Sequence, residues 1–286
     1  MREIVLTAGE EDNDSTAKNF LRRRGFSVRV INGLKQTDGL TRNGEILRTV
    51  DRVFSGDKVR IVIEERSAIT GDYAIKPNPT LCAAVVYEDE DVIVFDKPPD
   101  MPVHPSLSHA EDTLANLYTA LYPKSAFHAL YRLDKNTSGL CVCAKNRYAA
   151  FVLSEKIAKT YYAVVDGIIT DGGSIEASIG RTDDSIIKRE VRSDGQYALT
   201  HYKPVKTGNG RTLLEINIAT GRTHQIRVHF SYIGYPLCGD DMYGGDCSGI
   251  ARQALHCGKI GFELPLSGEK ISLTSTLPKD ILALLE

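Results

Sequence analysis

The stretch YRLDKNTSGLCVCA, residues 131–144, decides the fold class of the larger part of this chain. Its polar half, from Asp134 to Gly139, is rich in the Asn, Thr, Ser and Gly residues that are typical of a turn. Its second half is continuously apolar and predicts a short buried strand. An aspartate that precedes a strand in this way can be aimed into a cleft by the turn that follows it.

Further short strands and a few helices surround this stretch. We predict strands at residues 83–87, 92–95, 140–144, 161–165, 198–205 and 213–218. We predict helices at residues 113–122, 147–157, 223–233 and 278–285. Because strands outnumber helices and adjoin them irregularly, the pattern favours an α+β fold over a repeated βαβ array.

Length and composition indicate the number of domains and the class of protein. The chain has 286 residues, which exceeds the usual size of one domain, so we expect two domains. Hydrophobic residues make up 42% and charged residues 25%, as in ordinary globular proteins. No apolar run is long enough to predict a membrane-spanning helix, and the first residues lack a secretory pattern. We therefore expect a cytoplasmic protein with reduced cysteines, and a monomer.

The first 65 residues predict a small basic unit, although the net charge of the whole chain is −2. A helix is predicted after Ser15 or Thr16, a second helix at residues 27–34, and a small antiparallel sheet after them. Residues 15–65 contain eleven basic and six acidic residues, an excess of 11 − 6 = +5. Such an asymmetry is typical of a module that binds a polyanion.

Familiar cofactor and metal motifs are missing from the sequence. It contains no GxxxxGK[ST] phosphate loop, no GxGxxG after a strand, and no CxxC, HExxH or GxSxG pattern. We therefore expect neither a cofactor nor a metal.

Two segments carry dense polar groups within apolar surroundings. The first surrounds Asp134, which could serve chemistry or could merely accept hydrogen bonds of its own turn. The second is TGRTHQIRVHF, residues 220–230, followed by GYPLCGD. On the predicted helix, Thr223 and Arg227 share one face, which could be a site or a solvated basic face.

Both segments resemble motifs of the RluA-type pseudouridine synthases. YRLDKNTSGL resembles the family's H-R-L-D-x-x-T-S-G motif, and TGRTHQIRVHF resembles its T-G-R-[ST]-H-Q-[IL]-R-V-H motif. A lysine-proline hairpin that begins at Tyr87 and the strand KTYYAVVDG, residues 159–167, also match, so the resemblance covers about residues 81–286. It implies a catalytic domain with a mixed, mainly antiparallel sheet and a central cleft.

The resemblance implies that the protein isomerises uridine in structured RNA, ribosomal or transfer, to pseudouridine. Asp134 matches the catalytic aspartate, which acts as a nucleophile or as a base. Arg227 matches the arginine that pairs with it, Tyr161 the tyrosine that packs on uracil, and Arg132 the residue that intrudes where the base leaves its stack. Arg222 and Thr137 are the remaining expected substrate-binding positions.

The N-terminal part resembles, more loosely, the small α-L RNA-binding domain that several of these enzymes carry. This resemblance divides the chain into an α-L domain at residues 1–68, a linker at 69–80 and the catalytic domain at 81–286. The implied RNA-binding residues are Arg22, Arg23, Arg24, Arg29 and Lys35.

Three positions depart from the family pattern: Tyr131 stands for its histidine, Asp100 for a frequent glycine, and Glu263-Leu264 precedes Pro265 where histidine-proline is common. Two rival functions are a glycosidase-like hydrolase, which needs a second acid that the motif lacks, and a non-catalytic RNA-binding protein on the same fold.

Overall fold

The computed structural model describes residues 1–64 and 74–286. The predicted boundary between residues 68 and 69 therefore lies outside the described residues. The N-terminal unit has two helices, α1 (Ala17–Arg23) and α2 (Val28–Leu34). Its strands are β1 (Arg2–Thr7), β2 (Ser15–Thr16), β3 (Leu40–Arg42), β4 (Glu45–Ile46), β5 (Arg52–Val53) and β6 (Lys58–Ile63).

Both helices of this unit begin where the sequence predicts. The Thr16 side chain accepts a hydrogen bond from the amide of Asn19, and Ser27 caps α2 in the same way. The predicted order, two helices followed by a sheet, is wrong at one end. Strand β1 precedes the helices and pairs antiparallel with β6 along its whole length.

The residues that precede α1 change the charge of the unit. Residues 1–14 bring one base and five acids, so residues 1–64 hold twelve bases and ten acids, an excess of 12 − 10 = +2. The predicted excess of +5 described only part of the folded unit.

The larger unit contains four helices and twelve strands. The helices are α3 (Leu114–Leu121), α4 (Arg147–Leu153), α5 (Gln225–Tyr232) and α6 (Lys279–Leu282). The strands are β7 (Ala84–Glu88), β8 (Val92–Lys97), β9 (His128–Ala129), β10 (Ser138–Ala144), β11 (Ala158–Asp166), β12 (Gly173–Glu176), β13 (Ile179–Arg181), β14 (Arg189–Val191), β15 (Leu199–Gly208), β16 (Arg211–Ile218), β17 (Leu255–Glu263) and β18 (Lys270–Thr274).

Ten of these strands form one sheet with the order β12-β15-β16-β11-β17-β10-β8-β7, while β18 pairs with β17 and β9 with β10. Among the described strands only β10 and β17 pair in parallel, and only over two residues each. The predicted α+β class with a mixed, mainly antiparallel sheet is confirmed. The two-residue parallel contact joins the two halves of the sheet.

Gly139 makes this junction possible. Its φ is +109°, and a Cβ atom there would lie 2.3 Å from the carbonyl oxygen of Cys257 on β17. Neither the backbone angle nor the space admits a side chain. The glycine after the Asp134 turn therefore lets β10 approach β17.

The two units are packed together through α4. The ring of Tyr148 is 1% exposed, stacks on Phe26 with centroids 4.3 Å apart, and donates its hydroxyl proton to the carbonyl of Arg24. Arg2 also pairs with Asp91 of the larger unit. The small unit thus shares its core with the larger one. In residues 1–64 and 74–286, no helix is long and apolar enough to cross a membrane.

Gly139→Ala should destabilise the protein severely. The unfavourable backbone angle alone costs about 1–3 kcal/mol, and the overlap with Cys257 adds to this cost. Urea denaturation measures the loss of unfolding free energy. Gly33→Ala is the matched control: no atom lies within 4 Å of its Cβ position, and a helical alanine gains about 1 kcal/mol. Equal stability of the two variants would contradict the proposed junction.

Candidate active site

A cleft of about 1170 Å³ opens beside the junction of the two sheet halves. Its walls come from the turn before β10, from β11 and from the segment between β16 and α5. Six residues singled out in the sequence line it: Arg132, Asp134, Thr137, Tyr161, Arg222 and Arg227.

Hydrogen bonds from buried groups hold the turn that carries Asp134. The amide of Thr137 donates to the carbonyl of Asp134 at 3.0 Å, and Lys97 donates to the carbonyls of Pro98, Met101 and Lys135. Lys97 is 1% exposed, and burial lowers its pKa to about 8. Sequence reasoning placed Lys97 in a motif but did not assign it to the site.

A second buried cation holds the same turn from the other side. Arg252 donates to the carbonyl of Asn136 at 3.2 Å, and its Nε and Nη2 donate to the two carboxylate oxygens of Asp280. The hydroxyl of Thr137 accepts a hydrogen bond from Gln253 at 3.2 Å, and Thr137 is 2% exposed. Thr137 lines the cleft wall, and its hydroxyl serves to hold the turn.

Arg227 lies between two carboxylates. Its Nε and Nη2 donate to the two oxygens of Asp240 at 2.7 and 2.8 Å, while Nη1 donates to Asp134 Oδ2 at 3.1 Å. The paired contact therefore belongs to Asp240, whereas Asp134 receives a single hydrogen bond from the arginine. Burial would lower the pKa of Arg227, but Asp240 and Asp134 together raise it. Arg227 is a permanent cation.

The two carboxylates have different surroundings. The side chain of Asp240 is fully buried, whereas that of Asp134 is 28% exposed. Within the described part of the chain, Asp134 Oδ1 has no hydrogen-bond partner, so Arg227 holds one oxygen and the other is free of hydrogen bonds. Asp240 belongs to the GYPLCGD segment, which was quoted as a motif but was not assigned a role.

Tyr161 and the arginines occupy different depths of the cleft. Tyr161 is 6% exposed, and burial raises the pKa of its hydroxyl well above the ordinary value, so the phenol stays neutral. Arg132 is exposed, and Arg222 is exposed with its Nε donating to the carbonyl of Tyr197 at 3.0 Å. A buried aromatic ring with exposed arginines at the edge of the cleft fits a flat base that is attached to a chain of phosphates.

The start of α5 differs from the prediction. The helix begins at Gln225 because His224 adopts a left-handed backbone with φ +56°. Thr223 therefore precedes the helix, and the proposed helical face of Thr223 and Arg227 is wrong. His224 lines the cleft with its Nε2 3.8 Å from Asp134 Oδ2, and its Nδ1 lies 2.9 Å from the Tyr243 hydroxyl. Neither His224 nor Tyr243 was assigned to the site from the sequence.

The basic residues of the N-terminal unit fall into two groups. Arg23 and Arg24 pair with the buried Asp12, so the unit itself uses their charges. Arg22, Arg29 and Lys35 are exposed on α1 and α2, and no described residue pairs with them. The exposed three are the better candidates for contact with a polyanion.

Two departures from the family pattern have local explanations. The Tyr131 hydroxyl donates to the carbonyl of Leu140 at 2.8 Å, so this tyrosine braces the strand after the Asp134 turn. Asp100 has φ +61°, which accounts for the frequent glycine there; aspartate tolerates this angle better than most residues. Its carboxylate also pairs with Lys135 at 2.9 Å.

Known proteins resemble this chain over most of its length. The family described as RNA pseudouridylate synthase matches residues 91–232. The RNA pseudouridine synthase YjbO of Bacillus subtilis is 36% identical over 282 residues, which cover 95% of this chain and 98% of that protein. Ribosomal large subunit pseudouridine synthase D of Pseudomonas aeruginosa is 36% identical, with 86% of this chain and 82% of that protein covered.

A solved structure supports the same relationship. Human RNA pseudouridylate synthase domain containing 1 superposes with a TM-score of 0.59 at 25% identity, over 70% of this chain and 86% of that chain.

Asp240→Asn should destabilise the protein far more than Asp134→Asn. Removing one partner of a buried ion pair costs about 3–5 kcal/mol, and Asp240 supplies two of the three contacts of Arg227 with carboxylates. Asp134 is partly exposed and supplies one. Urea denaturation of both variants measures the difference. Equal losses would mean that Arg227 does not depend on Asp240 for its compensation.

Proposed function

The chain belongs to the RluA-type family of RNA pseudouridine synthases, and from this premise we propose that Asp134 is its catalytic residue in the isomerisation of uridines in structured RNA. The observation that carries the assignment is the asymmetry of the Asp134 carboxylate. Arg227 holds Oδ2, while Oδ1 has no hydrogen-bond partner among the described residues, and the carboxylate lines a cleft large enough for a nucleotide. A carboxylate with one free oxygen can act as a nucleophile or as a base.

The isomerisation breaks the bond between N1 of uracil and C1′ of the ribose and forms one between C5 and C1′. The proton on C5 leaves and N1 gains one, so no oxidant or energy source is needed. Asp134 acts on the uracil or the ribose while the bond between N1 and C1′ breaks or after it has broken. The Arg227 cation lies 3.1 Å from this carboxylate and pairs with it in a partly buried position.

The remaining cleft residues have distinct roles in this proposal. Tyr161 packs against the uracil ring, because it is a neutral, buried aromatic group in the cleft wall. Arg132 fills the gap that a flipped nucleotide leaves in its stack. Arg222 contacts the phosphate chain at the rim, and Thr137 acts through the turn that carries Asp134.

We propose RNA of the large ribosomal subunit as the substrate class. The support is the printed name of the relative from Pseudomonas aeruginosa, which is 36% identical over 271 residues. The cytoplasm is the compartment that such a substrate requires. Comparing the pseudouridines of ribosomal and transfer RNA in cells with and without the gene tests this assignment.

The N-terminal unit is proposed to be an α-L RNA-binding domain, with residues 1–68 as its extent and 81–286 as the catalytic domain. Two observations support this role. The unit has two capped helices between strands, and it exposes Arg22, Arg29 and Lys35. Residues 1–64 have an excess of only +2, so the affinity of this unit for RNA depends on where its basic side chains lie.

Asp134→Asn should abolish pseudouridine formation while RNA binding stays close to normal. Asparagine keeps the shape but removes the charge, and phosphate contacts come from other residues. Tritium release from RNA labelled at C5 of uridine measures turnover, and filter retention measures binding in the same preparation.

Asp171→Asn, a change at an exposed loop position, is the matched control and should be fully active. Substantial turnover by Asp134→Asn would refute the catalytic assignment. Wild-type protein that binds RNA but releases no tritium from any substrate would instead favour the non-catalytic alternative.

Replacing Arg22, Arg29 and Lys35 together with glutamine should weaken RNA binding without lowering kcat. If all three contact phosphates, the slope of log Kd against log salt should fall by about 2–3. The control is the same change at three exposed lysines of the larger unit, Lys203, Lys206 and Lys270. An unchanged slope in the first variant would remove these residues from the RNA interface.

A further inference from the structure

His224 is held in an unusual position at the edge of the cleft. Its φ of +56° lies in the left-handed region, which a non-glycine residue rarely occupies. Strain of this kind persists where the surroundings fix the backbone. Here the next residue, Gln225, is anchored by four hydrogen bonds: its Oε1 accepts from Thr220 and Arg222, and its Nε2 donates to Leu199 and Thr200.

The imidazole of His224 connects two groups. Nδ1 lies 2.9 Å from the hydroxyl oxygen of Tyr243, and Nε2 lies 3.8 Å from Asp134 Oδ2. The side chain is 10% exposed and lines the cleft. Tyr243 itself lies below Arg227, whose guanidinium carbon is 4.9 Å from the ring centroid.

The hydrogen bonds of Tyr243 favour one tautomer of His224. The backbone N–H of Arg189 donates to the Tyr243 hydroxyl oxygen at 3.0 Å, so that oxygen already accepts one hydrogen bond. The hydroxyl proton of Tyr243 then has His224 Nδ1 as its acceptor. Burial raises the pKa of Tyr243, so this proton remains on the phenol at neutral pH.

A nitrogen that accepts a hydrogen bond cannot carry a proton. With the Tyr243 hydroxyl as donor, neutral His224 carries its proton on Nε2, the nitrogen nearer to Asp134. Burial lowers the pKa of His224, and Arg227 and Arg189 lower it further against the opposing effect of Asp134 and Asp240. The ring is thus neutral at pH 7, and it presents an N–H donor to the carboxylate.

We propose that His224 is a positioning residue of the reaction: its Nε2–H, fixed by Tyr243, directs Asp134 Oδ2 together with Arg227 so that Oδ1 faces the nucleotide. The 3.8 Å separation exceeds a hydrogen bond. The proposal therefore requires the two groups to come closer when RNA binds. This inference rests on the proposed role of Asp134.

Kinetics with a donor-replacement pair tests the role. His224→Leu removes the donor, and kcat for tritium release should fall about 10–100-fold, as for other residues that orient a reactive ligand, with KM nearly unchanged. His224→Gln restores an N–H donor and should recover most of the loss. His201→Leu, at an exposed strand position, is the control and should be fully active. An undiminished kcat in His224→Leu, or no recovery in a folded His224→Gln, would overturn the proposal.

Nitrogen NMR tests the tautomer without any activity measurement. In protein with ¹⁵N-labelled histidine, the His224 ring should show the Nε2–H pattern at pH 7, and Tyr243→Phe should shift it toward a mixture of tautomers. An Nδ1–H pattern in the wild type would overturn the inference. Because Asp134→Asn tests the proposed function separately, an inactive Asp134→Asn beside an active His224→Leu would reject only the role of His224.

Discussion

The buried guanidinium of Arg227 is the constraint on which the site depends. A cation that is 6% exposed must be compensated by charge and by hydrogen bonds, or it destabilises the fold. Asp240 meets this requirement from the chain that follows α5, with two short contacts. An N–H of Nη1 then points to Asp134 on the opposite wall of the cleft. One residue therefore joins the two walls and orients the Asp134 carboxylate.

The same geometry is reinforced from the other side of Asp134. Lys97, at the end of β8, and Arg252, in the segment before β17, bind the carbonyls of Lys135 and Asn136. Gly139 then brings β10 against β17, at the single parallel contact among the described strands. Because several independent elements hold four consecutive residues, the carboxylate has little freedom, which is what a preorganised catalytic group requires.

Hydrophobic periodicity and a cap signal predicted the α+β class and the two N-terminal helices, and the family motifs implied the mainly antiparallel sheet and six residues of the cleft wall, because all of these are local signals. It did not predict Asp240 as the partner of Arg227, since a pairing thirteen residues apart depends on how the chain folds back after α5. It missed β1, whose partner β6 lies some fifty residues later. It also extended α5 too far, because the left-handed angle of His224 leaves no mark on hydrophobic periodicity.

The charge arrangement of the cleft explains how a polyanion can be brought to a carboxylate. Asp134, Arg227 and Asp240 together carry one net negative charge, which repels phosphate from the centre. Basic residues at the cleft supply the opposite field: Arg132, Lys135, Lys159 and Arg222. The electrostatic energy of a phosphate is most favourable beside these basic residues. The uncharged base and sugar are not repelled by the carboxylate of Asp134. We infer that the cleft sorts the parts of a nucleotide by charge, which presents the glycosidic bond, rather than the phosphate, to the aspartate.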